Sequence, residues 1–399
     1  MNGKNVIVVC ICIGLLAFFS CRKQDRGWSG TVTSEGDVRV VQNPAVPFYG
    51  ELQLEAEMDL SIGKEDDENF QFFRALGLAL DSADNIYVLD AGNGRVQKFS
   101  PDGGYLKTIG KKGEGPGELN APIALFIDGQ DTIYVADRQR LHVFDASGEY
   151  QQSFPLEHGI LAFCVDAGGG FAASGIKRME DGTRQVVSVF DSDGNLVRAI
   201  QEFSDVKVVS KSGNGAVVSF KAYHQYSNRL GLEATPGGGM IYGYPTDYRI
   251  YKSDGLGNPV MFFGREQQPE DISRAEKDFI IDGIGEAFSQ RGHNLPRDVL
   301  EETCQFPPYK PFFRGFIVDD EGRIYVAQSG SVLQREAPVE IDIFAPDGIY
   351  LYRISLPFNP NLIHSGYAYD IYTSDETGEV SVRRYRIKNW DQIEKGADI

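Results

Sequence analysis

Short apolar stretches closed by turn-forming residues, rather than long amphipathic runs, set the pattern of this chain. Gly77-Leu-Ala-Leu-Asp-Ser-Ala-Asp-Asn-Ile-Tyr-Val-Leu-Asp90 is followed by Arg95-Val-Gln-Lys-Phe-Ser-Pro-Asp-Gly103 and Tyr105-Leu-Lys-Thr-Ile-Gly110. The phrase returns as Phe126-Ile-Asp-Gly-Gln-Asp-Thr-Ile-Tyr-Val-Ala-Asp137, and its closing turn returns at 141–148, 189–194, 250–255 and 343–348. Aromatic and β-branched residues ending in Asp/Gly turns predict short antiparallel strands. Repetition of such a unit along one chain predicts an all-β propeller.

The turn aromatics count the blades. Phe99, Phe144 and Phe190 stand 45 and 46 residues apart, and Tyr251 and Phe344 follow at longer intervals that mark insertions. Five blades are read directly. A sixth begins at Tyr369-Asp-Ile-Tyr-Thr-Ser-Asp-Glu-Thr-Gly378, continues through 380–387, and then runs out of chain. Met58-Asp-Leu-Ser-Ile-Gly63 reads like the outermost strand of a blade, and 38–41 and 52–57 add further alternating segments. Pairing these amino-terminal strands with the last blade closes the ring and removes two open sheet edges. The alternation fails between Gly264 and Phe313. There Ile272, Ala275, Phe279 and Ile280 follow helical spacing after Pro269, and Leu295-Pro-Arg-Asp-Val-Leu-Glu-Glu302 predicts a shorter second helix. This helical insertion, 265–312, falls between blades and is expected on the top face or rim, with Phe279, Ile280, Ile284 and Phe288 packed on the propeller.

The amino-terminal stretch has a different character. Lys4 precedes an apolar core from Val6 to Phe19, which as a helix spans about 21 Å, short of the roughly 30 Å of a bilayer. Leu15-Leu16-Ala17-Phe18-Phe19-Ser20-Cys21 is similar to a bacterial lipobox. The resemblance implies a signal peptide over 1–20, cleavage before Cys21, and lipid on that residue as a membrane anchor. Arg22 stands where an inner-membrane retention signal would have Asp, so the expected location is the outer membrane of the cell envelope. Residues 21–36 are polar and read as a flexible tether, 37–390 as the propeller, and 391–399 as a tail. The formal net charge of −18 argues against nucleic acid as a partner. Two cysteines of the body remain, Cys164 in a core slot and Cys304 in the insertion, and both are expected as buried thiols.

The residues at 78–90 and 94–103 resemble the NHL repeat, and Phe306-Pro-Pro-Tyr-Lys-Pro-Phe-Phe-Arg-Gly-Phe-Ile-Val-Asp319 is also similar to the bacterial six-bladed propeller lipoproteins of that group. The likeness covers about residues 37 to 390. It implies the fold; it implies little about activity.

Residues that recur in one slot of every blade serve the blade, and exceptions are candidates for function. Asp81, Asp128, Asp166 and Asp319 recur after the first strand and are expected to accept turn amides. Asp90 with Arg95, and Asp137 with Arg140, read as local turn pairs. Asp191-Ser-Asp-Gly-Asn195 has alternate oxygen ligands, but Leu196 occupies the place where an EF-hand loop needs Gly, so it reads as a hairpin turn. Gly113-Glu-Gly-Pro-Gly117 lacks the Lys-Ser/Thr and helix of a phosphate loop. Catalytic signatures are absent, and the five histidines show no metal-ligand spacing.

One pattern does not repeat. Where the chain crosses the top of the ring before each innermost strand it carries Arg74, Asn120, His158, Arg229, Arg314 and His364. Arginines converging on a channel mouth suit carboxylate or phosphate recognition. The expectation is a non-catalytic, membrane-anchored propeller that binds a small anionic ligand or an envelope protein at its top face. An enzyme resembling six-bladed lactonases or lyases is the alternative, with calcium or zinc held by Asn120, His158 and His364; otherwise no cofactor is expected. A structural subunit of an envelope complex is a third reading.

Overall fold

The computed structural model describes residues 27–397 except 64–65, 138–139, 157–158, 167, 180–181, 205–208, 214–215 and 221–223. The expected signal peptide, Cys21 and His158 lie outside the described residues. Six sheets stand around a central axis, and the innermost strands of successive blades touch from the first to the sixth. Blade one is formed by Ala75–Leu80, Ile86–Asp90, Arg95–Phe99 and Tyr105–Ile109, all antiparallel. Blades two to six follow at 124–155, 159–204, 231–265, 315–356 and 362–387.

The recurring aspartates act as expected. Asp81 Oδ1 accepts the amides of Ala83 and Asn85 at 3.0 and 2.9 Å, and its other oxygen takes the Tyr87 hydroxyl at 3.1 Å. Asp128 and Asp319 repeat this with Tyr134 and Tyr325. One carboxylate thus fixes both the first turn and a buried phenol on the second strand. Burial works to raise the pKa of Asp81, but hydrogen bonds from Asn85, Lys98 and the turn amides outweigh it and hold the carboxyl below its ordinary value. Asp191 is likewise occupied by the amides of Asp193 and Asn195 and by the Asn195 side chain, which confirms a hairpin turn there. Between blades the core is aromatic and aliphatic, with Tyr87, Phe99, Phe144 and Phe344 essentially inaccessible. Cys164 and Cys304 are both buried free thiols.

The ring closes through β3 (Ala56–Ile62), which follows β1 (Thr31–Glu35) and β2 (Val38–Asn43). β3 lies antiparallel to Val380–Ile387, with Ile62 opposite Val382 and Arg384 bridging to both oxygens of Asp59 at 3.0 and 3.1 Å. The other amino-terminal segments depart from expectation. β2 does not join the last blade; it runs parallel to Pro259–Arg265 and extends blade four, with β1 outside it. Part of the expected tether is therefore sheet. The segment around 48–52 lies along the outer strand of blade five, with the amides of Phe48, Tyr49 and Leu52 bonded to carbonyls of Tyr350, Leu351 and Arg353. Residues 38–62 thus form a belt over the outer edges of blades four, five and six. Asn43 pins it: the buried side-chain amide donates to the carbonyls of Gly264 and Gly348 at 2.9 and 2.8 Å and accepts the Tyr350 amide at 2.9 Å. A neutral group that satisfies three main-chain atoms of two blades explains why the belt takes this course.

The insertion holds two helices, α1 (Arg274–Ser289) and α2 (Arg297–Thr303). Helix α1 starts later than the Pro269 signal because Ser273 and Glu276 form a capping box. Glu276 is buried beneath it. Its carboxylate accepts the Tyr226 hydroxyl at 2.6 Å and the Ser331 hydroxyl at 2.7 Å, and pairs with Lys310 at 2.9 Å. Burial opposes the charge, yet the hydrogen bonds from Tyr226, Lys310 and Ser331 hold this carboxyl well below its ordinary value. Tyr226 precedes blade four and Ser331 lies between the second and third strands of blade five, so α1 is bolted over the top face at these two blades.

Candidate functional site

Beneath α1 lies a cavity of about 550 Å³. One wall is apolar, supplied by Phe279, Ile280 and Ile284 of α1 and by Phe313. The other carries Arg229 and Arg314, from the segments that lead into blades four and five, and Arg335, from the long loop between the second and third strands of blade five. No carboxylate lines this space among the described residues, in a chain whose net charge is −18. Arg335 lies over the Phe279 ring at 4.8 Å from its centroid, which holds the guanidinium against the helix. His224 closes the inner end. Its Nδ1 accepts the Tyr226 amide at 3.2 Å, which leaves Nε2–H to donate to the Gln305 carbonyl at 3.2 Å. Burial lowers its pKa, so the imidazole is neutral and braces the wall.

Arg314 also borders a second hollow of about 220 Å³ at the channel, with Glu233, Asn359 and Asn361. Glu233 is on the innermost strand of blade four, and the crowding channel wall pushes its carboxyl up, to about 8.

Of the six residues singled out from the sequence, the structure brings Arg229 and Arg314 together. Arg74 stands exposed at blade one, outside this cavity. Asn120 donates to Glu114 at 3.1 Å in the loop between blades one and two. His364 is on the opposite face: it ends the short strand Leu362–His364, and its imidazole lies 3.3 Å from Asp84 and 3.8 Å from Asp320, in the bottom turns of blades one and five. The residues that lead into that strand are instead 358–361. Asn120 and His364 therefore do not converge, and no group of three His, Cys, Asp or Glu able to hold a metal ion occurs among the described residues. Asp90 pairs with Arg95 at 3.0 Å, whereas Asp137 bonds the Arg140 amide and turns its other oxygen to His142. The sequence reading missed Arg335 and His224. The long loop at 328–338, against four residues at the same place in blade one, was the available signal.

Comparison with known proteins agrees with this architecture. Residues 71–226 match the family DUF5128, described as a 6-bladed beta-propeller. NHL repeat-containing protein 3 of Mus musculus is 35% identical over 86 residues, which is 20% of this chain; the chain spans a quarter of the length of that relative. A crystal structure from Bacteroides fragilis is similar in fold, with a TM-score of 0.54, 13% identity, and coverage of 88% of this chain and 99% of that one. A gluconolactonase from Xanthomonas campestris aligns with a TM-score of 0.42 at 12% identity, over 86% of this chain and 98% of its own. The chain is a six-bladed β-propeller, and part of it is similar to an NHL repeat-containing protein.

Proposed function

We propose that this propeller is a binding protein rather than a catalyst, and that the cavity under α1 takes a small ligand with a carboxylate or phosphate group and an apolar body. The observation that carries the reading is the cavity itself: three arginines and, among the described residues, no acid opposite an aliphatic and aromatic helix face. Guanidinium groups in a concave, partly dry site bind planar oxyanions through paired, charge-assisted hydrogen bonds. Phe279, Ile280 and Ile284 supply the desolvated surface that fixes the rest of the ligand. The proposal includes anchoring of the folded body in the cell envelope through lipid on Cys21, which rests on the sequence motif.

Calorimetric titration with phenyl phosphate and with benzoate tests the binding. Both are expected to bind, and Arg314→Gln to weaken them about tenfold. Absence of binding, or binding unchanged by Arg314→Gln, overturns the reading. Cys21→Ser is expected to move the protein from the membrane to the soluble fraction; retention on the membrane removes the anchor.

A further inference from the structure

The cavity under α1 does not end at the helix. A second cleft of about 1010 Å³ lies on the outer flank of α1, between Asp282 and Glu286 on one side and residues 332–337 on the other. The two spaces share Phe279, Gly283 and Arg335, so they adjoin along the seam between α1 and the 332–337 loop. Arg335 borders both, but their other charges differ. Arginines line the inner space, while Glu286 and Glu336 border the outer one with no ion-pair or hydrogen-bond partner for either carboxylate among the described residues.

Gly283 stands at this seam and lines both spaces. Glycine within a helix is disfavoured relative to alanine. Gly285 has a packing reason, because a Cβ there would meet the Leu300 side chain at 3.0 Å. Gly283 has none: its φ is helical, and a Cβ would find nothing within 4 Å. A side chain at 283 would project into open space where the two hollows adjoin.

From these features, and resting on the anion-binding reading above, we propose that the ligand is the carboxyl-terminal end of an extended peptide. Its terminal carboxylate binds at Arg229 and Arg314, its apolar last side chain packs on Phe279 and Ile284, its main chain passes Gly283, and an upstream Lys or Arg lies between Glu286 and Glu336. A helix is about 10 Å across, so a chain reaching from one flank of α1 to the other spans about three extended residues, which places the basic residue about three positions before the terminus. Capture of a terminal carboxylate with pockets for adjacent side chains is an established mode of peptide recognition.

Fluorescence anisotropy of the full chain with a dye-labelled Gly-Ser-Lys-Ala-Ala-Leu peptide tests this, alongside its carboxyl-terminal amide and the form with Glu in place of Lys. The free acid is expected to bind about tenfold more tightly than the amide, and the Lys form severalfold more tightly than the Glu form. The double variant Glu286→Gln, Glu336→Gln is expected to erase the Lys preference while keeping that for the free acid. Gly283→Trp is expected to abolish binding with an unchanged thermal melt. Equal binding of acid and amide, or a Lys preference untouched by the double variant, overturns the proposal. If phenyl phosphate binds through Arg314 while the peptide does not bind, the peptide assignment alone falls; if neither binds, both fall.

Discussion

Replacing Glu276 with Gln should detach α1 without unfolding the propeller. The carboxylate is buried and holds together Tyr226, Ser331, Lys310 and the cap at Ser273. Gln keeps the shape and part of the hydrogen bonding but removes the charge facing Lys310, itself buried. Breaking a buried ion pair costs about 3–5 kcal/mol. Lys310 also bonds Glu270, whose side chain is 65% exposed, so one counter-charge survives and the lower end applies, about 3 kcal/mol. Expressed as local opening, this is roughly a hundredfold. Native-state hydrogen exchange reads it directly: amides of α1 should exchange about a hundredfold faster, while those of the second strands in blades one and two keep their protection. The pH dependence gives an independent check. The folded pKa lies below the ordinary 4.5, so the charge contributes fully above that value, and the contribution is lost as pH falls toward the folded pKa. The gap between wild type and Glu276→Gln should therefore narrow below about pH 4.5. Unchanged exchange of α1, or equal loss of protection in every blade, would refute the reasoning.

Other consequences are as direct. Asn43→Ala removes three buried bonds to main-chain atoms and should lower the urea unfolding free energy by about 3 kcal/mol; a loss under about 1 kcal/mol would show that the belt does not depend on this clamp. Asp81 is also held below its ordinary 3.8, so Asp81→Asn should destabilise the protein at neutral pH, with a loss that shrinks as pH falls below about 4. Burial pushes the thiols of Cys164 and Cys304 up to about 12 and about 11. Peptide mapping after iodoacetamide treatment should find both unlabelled in the folded protein and labelled in urea, and modification of either without denaturant would contradict their placement.

The blades were legible because their signals are local. An Asp, its turn and a Tyr on the next strand lie within a few residues of one another, as in Asp81 and Tyr87, and the same chemistry repeats around the ring. Closure by β3 was legible because a blade without an outer strand demands one. The course of β2 was not, since alternation of Val38, Val40 and their neighbours marks a strand without naming its partner. Arg229 and Arg314 were found by their place ahead of innermost strands. That rule failed for His364, where the strand is only three residues long and the histidine ends it. Arg335 was invisible to the rule because it comes from a loop between the second and third strands, brought over the cavity by the docking of α1.

The belt has a mechanical meaning. A pull carried along the chain from before residue 27 first meets the added strands of blade four, then Asn43 wedged between two blades, and only afterwards the join at β3. The weakest place in a ring, where its two ends are fastened, is thereby shielded from load, and blade four acts as its strain relief.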